Sequence, residues 1–226
     1  MTTRRSDWVV PVLLILLSIV PAIGGVVRVV DLGPGHPITA SNARFHASPL
    51  PIVLHVFAVI PFSIVGALQF APALRRRGRS WHRNAGRLLA PLGLVVALSG
   101  LWMTLFFPWP AMDGVLVYLE RLVFGVAMVV SILCGLHAIR RRDFTAHGEW
   151  MMRGYAIGLG AGTQVLTHLP WFLTMDSEPT TTPRAVMMGA GWVLNVLIAE
   201  RIIRGRAQRV VQRITPVAVS HTAAAI

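Results

Sequence analysis

A short pattern that could bind iron or a divalent metal occurs twice in the chain. Three arginines, a gap of four residues and a histidine stand at 75–82 in RRRGRSWH and at 140–147 in RRRDFTAH. If the fold brings His82 and His147 face to face, they could supply both axial ligands of a b-type haem iron. With His137 nearby, three histidines could instead bind a divalent metal. Anchoring at the membrane interface is the competing role for both repeated histidines.

A second pair of polar residues follows the same spacing. Shifting the chain by 65 residues places His82 on His147 and also His55 on Glu120, which Arg121 follows directly. A charge near the middle of a membrane helix costs about 2.5 to 3.5 kcal/mol, so such residues are functional candidates. We therefore predict that His55 and Glu120 pair across two helices, either as part of a site or as a purely structural buried pair.

Membrane helices must position these residues. The 226 residues are 54% hydrophobic and 13% charged, with a mean hydropathy of +0.63, which is outside the range of soluble domains. A bilayer core needs roughly 20 apolar residues per helix. Six windows have that length, and they lie at about 8–30, 50–73, 87–108, 115–138, 151–173 and 185–203.

The charge distribution predicts an orientation. The net charge is +12, and every basic residue is an arginine. With both termini in the cytoplasm, 17 of the 21 arginines lie on the inner side, as the positive-inside rule requires. Arg28, Arg44 and Arg184 are the three on the outer side. Because the arginines cluster at the ends of spans, nucleic-acid binding is not predicted, and residues 204–226 are expected to form a basic cytoplasmic tail.

The internal repeat predicts the arrangement of the core. Spans two and three would form one helical hairpin and spans four and five another, giving a four-helix bundle within an all-α, six-helix membrane protein. Gly154, Gly158 and Gly162 leave one face of span five bare of side chains. That face is either ordinary close helix packing or a groove for a flat macrocycle.

Two resemblances rest on these motifs. The H-R-x-x-G-R element beginning at His82 and the H-x-x-W-M-x-R element beginning at His147 resemble those of bacterial membrane proteins grouped as domain of unknown function 2306, over roughly residues 50–170. The arrangement of histidines is similar to that of transmembrane dihaem b-type cytochromes. That resemblance implies inner ligands at His82 and His147 and an outer ligand at His55, while Glu120 stands where the pattern has histidine.

The most concrete functional prediction is a bacterial inner-membrane protein that binds one haem b for electron transfer, with a quinone or another lipid-soluble carrier as partner. The first alternative is a transporter or proton-linked permease that uses His55, Glu120 and Arg121. The second is a non-catalytic scaffold or sensor whose arginines bind anionic lipid. The sequence contains no nucleotide loop, hydrolase motif or CxxC that would indicate soluble-enzyme chemistry.

Overall fold

The computed structural model describes residues 6–77 and 79–223, and the protein is all-helical, with 83% helix. Within those ranges the chain contains no strand. The helices, numbered in chain order, are α1 Ser6–Val30, α2 Ala43–Ala47, α3 Pro49–Leu68, α4 Pro72–Arg77, α5 Arg79–Phe106, α6 Val115–Arg140, α7 Phe144–Gly158, α8 Gly160–Thr174 and α9 Thr181–Ala223.

Five segments of the described chain are long and apolar enough to cross a membrane. They lie in α1, α3, α5, α6 and α9, as Asp7–Val30, Pro49–Leu68, Ser80–Phe106, Val115–Arg140 and Thr181–Arg209. The predicted window 151–173 differs, because it falls on two 15-residue helices that meet at Leu159. Glycines flank this break at 158 and 160, and each glycine in a helix interior costs about 1 kcal/mol relative to alanine.

The centre of the bundle lies among α3, α5, α6 and α7. Along this series each helix packs against the next, and α1, α8 and α9 pack around the outside. Phe62 of α3 occupies the middle: a Cβ added at Gly93 of α5 or at Gly158 of α7 would lie 2.8 or 2.7 Å from its ring. The predicted helices therefore do form a common core, while a two-fold repeat of hairpins stays a prediction.

The glycine face of α7 is occupied by side chains from neighbouring helices. Gly158 contacts Phe62 and Met128, and Gly154 contacts Ile132 and Ser131. On α8, Gly162 packs against the backbone of Leu17 in α1. Of the two interpretations of this face, close helix packing is the one that these contacts support.

The connections between the long helices lie at the two ends of the bundle. The arginine-rich end carries the segment between α3 and α5 and the turn from α6 to α7. In that turn Arg142 has a φ of 61°, and the Asp143 side chain accepts a hydrogen bond from Ala146 N at 2.9 Å, which caps α7. The opposite end carries α2 and the loops 107–114 and 175–180, and we call it the cavity end.

The last helix is longer than its predicted span. The window 185–203 lies inside α9, which continues without interruption to Ala223. The predicted basic tail 204–226 therefore begins within this helix, and its last three residues lie outside the described part of the chain. Large apolar side chains such as Leu13, Phe57 and Val123 are exposed on the bundle surface, as expected for side chains that face lipid.

Candidate functional site

A cavity of about 470 Å³ opens at the cavity end of the bundle. It reaches from Pro108 in the loop after α5 to Met128 in α6, and Met128 lies 13 residues beyond Val115, the start of that helix. At 1.5 Å per residue this corresponds to about 20 Å of depth, which is well into a bilayer core. The cavity therefore joins the surface to the interior of the bundle.

Two arginines at the mouth share one aromatic ring. The guanidinium carbon of Arg28, in the last turn of α1, lies 4.8 Å from the centre of the Phe45 ring, and that of Arg44 lies 4.7 Å from it. Phe45 is buried against Phe107 and belongs to α2, whose five residues bring Arg44 to the same wall. Cation–π contacts of this kind hold both charges at the cavity without neutralising them.

Arg44 has a donor that no group in the described part of the chain satisfies. Its Nη1 donates to the carbonyl oxygen of Pro108 at 3.3 Å, but its buried Nε has no hydrogen-bond partner there. Burial, together with the positive charges of Arg28 and Arg121, holds the pKa of the Arg44 guanidinium below its usual range. An anion beside this side chain would relieve both the unsatisfied donor and the charge repulsion.

Asp113 organises two further arginines. Its Oδ2 lies 2.6 Å from Nη1 of Arg121, and its Oδ1 accepts a hydrogen bond from Nε of Arg184 at 2.6 Å. The Asp113 side chain is only 3% exposed. One carboxylate is thus shared between α6 and α9, and it holds Arg121 on the cavity wall.

The charges of this region do not balance. Among the residues that line the cavity, three arginines at 28, 44 and 121 stand against the one carboxylate of Asp113, which leaves two positive charges in excess. Arg28 is exposed at the mouth, but Arg44 and Arg121 are partly buried, and charges removed from water are normally paired because desolvation is costly. The cavity is therefore suited to an anion.

The deeper half of the cavity is largely apolar. Its wall includes the stacked pair Phe124 and Trp192, whose ring centres are 4.9 Å apart, together with Leu101, Met128 and Ile157. Nearer the mouth, Trp109 and Tyr118 stack at 4.8 Å. A ligand that fills the whole cavity would accordingly combine a charged group with an apolar group.

The break between α7 and α8 opens onto this cavity. Gly158, Ala161 and Gln164 all contribute to its wall. Beside the break, the buried Asn195 of α9 donates to the carbonyl oxygen of Ala156 at 3.0 Å and accepts from Thr163 Oγ1 at 2.7 Å. The polar side chain of Asn195 thereby stabilises the break between α7 and α8. Because Gly158 and Ala161 have little or no side chain, the backbone itself forms part of the cavity wall there.

His55 lies on the cavity wall, but its hydrogen bonds run to α5 rather than to Glu120. Its Nδ1 lies 3.1 Å from the carbonyl oxygen of Val96 and 3.0 Å from Ser99 Oγ. Since Ser99 donates its own proton to Val95 O, Nδ1 carries the histidine proton and donates to both oxygens. In the neutral tautomer that matches this network, Nδ1 carries the proton and Nε2 is the acceptor nitrogen of His55.

Glu120 points to a different place. Its carboxylate packs against Gly189 of α9, where an added Cβ would lie 2.5 Å from Oε1, and its buried Oε2 has no hydrogen-bond partner among the described residues. The predicted pairing of His55 with Glu120 is thus wrong, because each side chain faces another helix. Arg121, the third residue of that prediction, does share the cavity with His55.

The repeated histidines lie at the arginine-rich end. His82 is exposed near the start of α5, whereas His147 is half-buried and its Nδ1 donates to the carbonyl oxygen of Gly135 in α6 at 2.8 Å. His137 lies on the wall of a separate cavity of about 790 Å³. The described residues contain no group of three or more histidine, cysteine or acidic side chains that could hold a metal ion.

The helix face that was expected to receive haem packs against neighbouring helices. Ile132 lies beside Gly154, and Phe62 and Met128 lie beside Gly158. The hydrogen bond of His147 leaves its Nε2 available as a ligand, but a free nitrogen alone does not make a haem pocket.

The family model described as "Predicted membrane protein (DUF2306)" matches residues 52–203. The chain belongs to this family. No curated protein and no solved structure matches the chain. The DUF2306 segment includes His55, Asp113, Arg121 and Arg184, whereas Arg28, Arg44 and Phe45 precede it. The mouth of the cavity is therefore completed by residues outside the matched segment.

The sequence interpretation missed most of the cationic cavity in this DUF2306 protein. Arg28, Arg44 and Arg184 appeared in it only as the three arginines on the outer side, and Asp113 was not among its candidate residues. Their position was itself a signal, since arginines on the side that the positive-inside rule disfavours need another reason to be there. Which side chains would meet could not be derived without the packing of α1, α2 and α9.

Proposed function

We propose that this protein binds a small organic anion inside the membrane, as the ligand site of a permease. The main observation that supports this proposal is the excess of positive charge around a cavity whose deeper half is apolar. Arg121 and the two arginines at the mouth would hold the anionic group. His55 would accept a hydrogen bond at its neutral Nε2 from a donor group on the ligand.

The interrupted helix supports transport over simple storage of a ligand. Transporter sites are commonly built where a membrane helix is broken near mid-depth, because the freed backbone groups and the reoriented half-helices contact the substrate. Here α7 and α8 meet at Leu159, and the residues on both sides of the break line the cavity. Movement of one half-helix against the other would change access to the ligand.

This proposal includes a membrane topology. We propose six crossings, with α7 and α8 together forming the fifth, and both termini in the cytoplasm of a bacterial inner membrane. The ion pair between Asp113 and Arg184 supports it, since the ion pair holds the start of α9 beside the loop before α6. The cavity would then open to the outer side.

Direct binding tests the proposal. Full-length protein in an uncharged detergent should bind benzoate and should bind benzamide, the uncharged isostere, at least tenfold more weakly, as measured by calorimetry. Replacing Arg121 with Gln should weaken benzoate binding about tenfold, the loss expected for one charge-assisted hydrogen bond. Arg201→Gln is the matched control, because Arg201 is exposed on α9 far from the cavity wall.

Uptake of radiolabelled benzoate into proteoliposomes then separates transport from binding. Uptake that saturates and falls in Arg121→Gln would support a permease. Binding without uptake would leave a receptor or sensor as the function of the cavity, and equal binding of benzoate and benzamide would refute the anion site.

Binding of haem b by His82 and His147, with a quinone-like carrier as partner, stays a prediction for those two histidines. Its test is the absorbance spectrum of protein expressed with adequate haem supply. A reducible b-type spectrum that is lost in His82→Ala and in His147→Ala, but kept in His36→Ala, would establish it. A colourless protein that retains no iron would refute haem binding by these two histidines.

A further inference from the structure

Building on the proposed anion site, we infer that its ligand class is a phosphate monoester of an apolar alcohol. The phosphate would lie between Arg28 and Arg44 at the mouth, and the apolar group would extend toward Phe124, Met128 and Trp192. The head group would therefore face the mouth of the cavity, and the apolar group would face the interior of the bundle.

The amount of unbalanced charge favours a doubly charged head group. Three arginines of the cavity wall stand against Asp113 alone, so two positive charges lack an acidic counterpart there. A carboxylate carries one negative charge, whereas a phosphate monoester carries about −1.5 to −2 at neutral pH on three compact oxygens. One phosphate monoester can therefore balance what would otherwise require two carboxylate ligands.

The arginines that lack an acidic partner lie at the mouth of the cavity, so the phosphate is expected to bind there. Asp113 already binds Arg121 and Arg184 at 2.6 Å each. Of the four arginines at this end, Arg28 and Arg44 therefore have no carboxylate contact in the described part of the chain. Both are held on the buried Phe45 ring, and the buried Arg44 Nε still lacks an acceptor. Guanidinium groups bind phosphate oxygens through paired, charge-assisted hydrogen bonds.

The remainder of the cavity sets the size and polarity of the attached group. Below the mouth the polar side chains of the lining are Arg121, His55, Thr104, which donates to Gly100 O, and Gln164, which donates to Met188 O, and the rest are aromatic or aliphatic side chains or glycine. A volume of about 470 Å³ accommodates roughly 15 non-hydrogen atoms, at about 30 Å³ each as in liquid water. Octyl phosphate, with a single unbranched chain, is a probe of suitable size.

The experiment compares octyl phosphate, octanoate and inorganic phosphate on full-length protein in an uncharged detergent. We expect octyl phosphate to bind at least tenfold more tightly than either of the other two, because octanoate balances only one of the two excess charges and inorganic phosphate has no apolar group. Arg28→Gln and Arg44→Gln should each weaken octyl phosphate binding about tenfold and octanoate binding by a smaller factor of about three, because a carboxylate carries less charge than a phosphate monoester. Arg44→Lys should recover part of the loss, and Arg201→Gln should change nothing.

A competition arm distinguishes two sources of this head group. If phosphatidic acid in nanodiscs of phosphatidylcholine displaces octyl phosphate, the head group comes from a membrane lipid. If it does not, the ligand is a free alkyl phosphate. Melting temperatures of the ligand-free variants establish that they are folded before their binding is interpreted.

The outcomes separate this inference from the proposed function. Octanoate that binds as tightly as octyl phosphate, with both depending on Arg121, would overturn the phosphate assignment and leave the anion site intact. Unchanged binding of octyl phosphate in Arg28→Gln and Arg44→Gln would also overturn it. Failure of octanoate, octyl phosphate and benzoate alike would reject the anion site itself.

Discussion

Asp113 Oδ1 lies 2.6 Å from Arg184 Nε, an ion pair that fastens the first turn of α9 to the loop before α6. Because Asp113 is almost fully buried and also contacts Arg121, its neutralisation leaves two arginines without their shared partner. We expect Asp113→Asn to destabilise the protein by about 3 kcal/mol, which lowers Tm by roughly 6–12 °C. Thermal unfolding followed by tryptophan fluorescence measures this.

Asp176→Asn is the matched control for that change. Asp176 is exposed in the loop before α9, so its substitution should leave Tm within about 1 °C. Equal effects of the two substitutions would mean that the ion pair contributes nothing specific to the fold.

Two glycine-to-alanine substitutions should have opposite effects on the free energy of unfolding. A Cβ at Gly158 would meet the Phe62 ring at 2.7 Å and Met128 at 3.2 Å, so Gly158→Ala should destabilise by about 1–3 kcal/mol through overpacking. A Cβ at Gly86 meets nothing within 4 Å, and Gly86→Ala should stabilise α5 by roughly 0.5–1 kcal/mol. Adding Phe62→Leu should recover part of the Gly158→Ala loss, and a lack of any recovery would contradict the packing at this position.

The hydrogen bonds beside the helix break can be tested by a double-mutant cycle. Asn195→Ala removes the donor to Ala156 O and the acceptor of Thr163 Oγ1, and we expect a cost of about 1–2 kcal/mol. Thr163→Val should cost less. If the two side chains interact as observed, the double variant will be more stable than the sum of the single losses predicts. Additive losses in thermal or denaturant unfolding would show that the pair is not coupled.

Reporter fusions test the proposed topology. Fusions after Gly78, Phe144 and Arg213 should report the cytoplasm, and fusions near Pro34, Asp113 and Glu178 should report the opposite side. The fusion near Glu178 is decisive, since it follows the interrupted pair of helices. A cytoplasmic signal there would mean that α7 and α8 enter the membrane and return on the same side.

Helix positions were largely predictable from the sequence, because long apolar windows are limited by bilayer thickness. Predicted windows at 8–30 and 115–138 closely match α1 and α6. The break at Leu159 was not predicted, although glycines at 154, 158, 160 and 162 surround it. Hydropathy averages over many residues, so it does not register a local loss of helix propensity inside an apolar segment.

The candidate site was predicted less well, for a different reason. His55 and Arg121 were singled out because polar residues are costly inside a membrane, and both do lie on the cavity wall. The predicted partner of His55 was wrong because the internal repeat gives only depth, whereas contacts depend on the rotation of each helix about its axis. Glu120 and Arg121 are adjacent, yet about 100° of rotation directs one to α9 and the other to Asp113.

The contact of Glu120 with Gly189 has an evolutionary consequence. An alanine at 189 would meet the Glu120 carboxylate at 2.5 Å, so the Glu120 side chain would have to leave its present position beside α9. Descendants of this sequence that acquire a side chain at 189 should therefore carry Glu120 in another rotamer or have a shorter residue at 120. Across the family, side-chain sizes at the two positions should be inherited as a correlated pair.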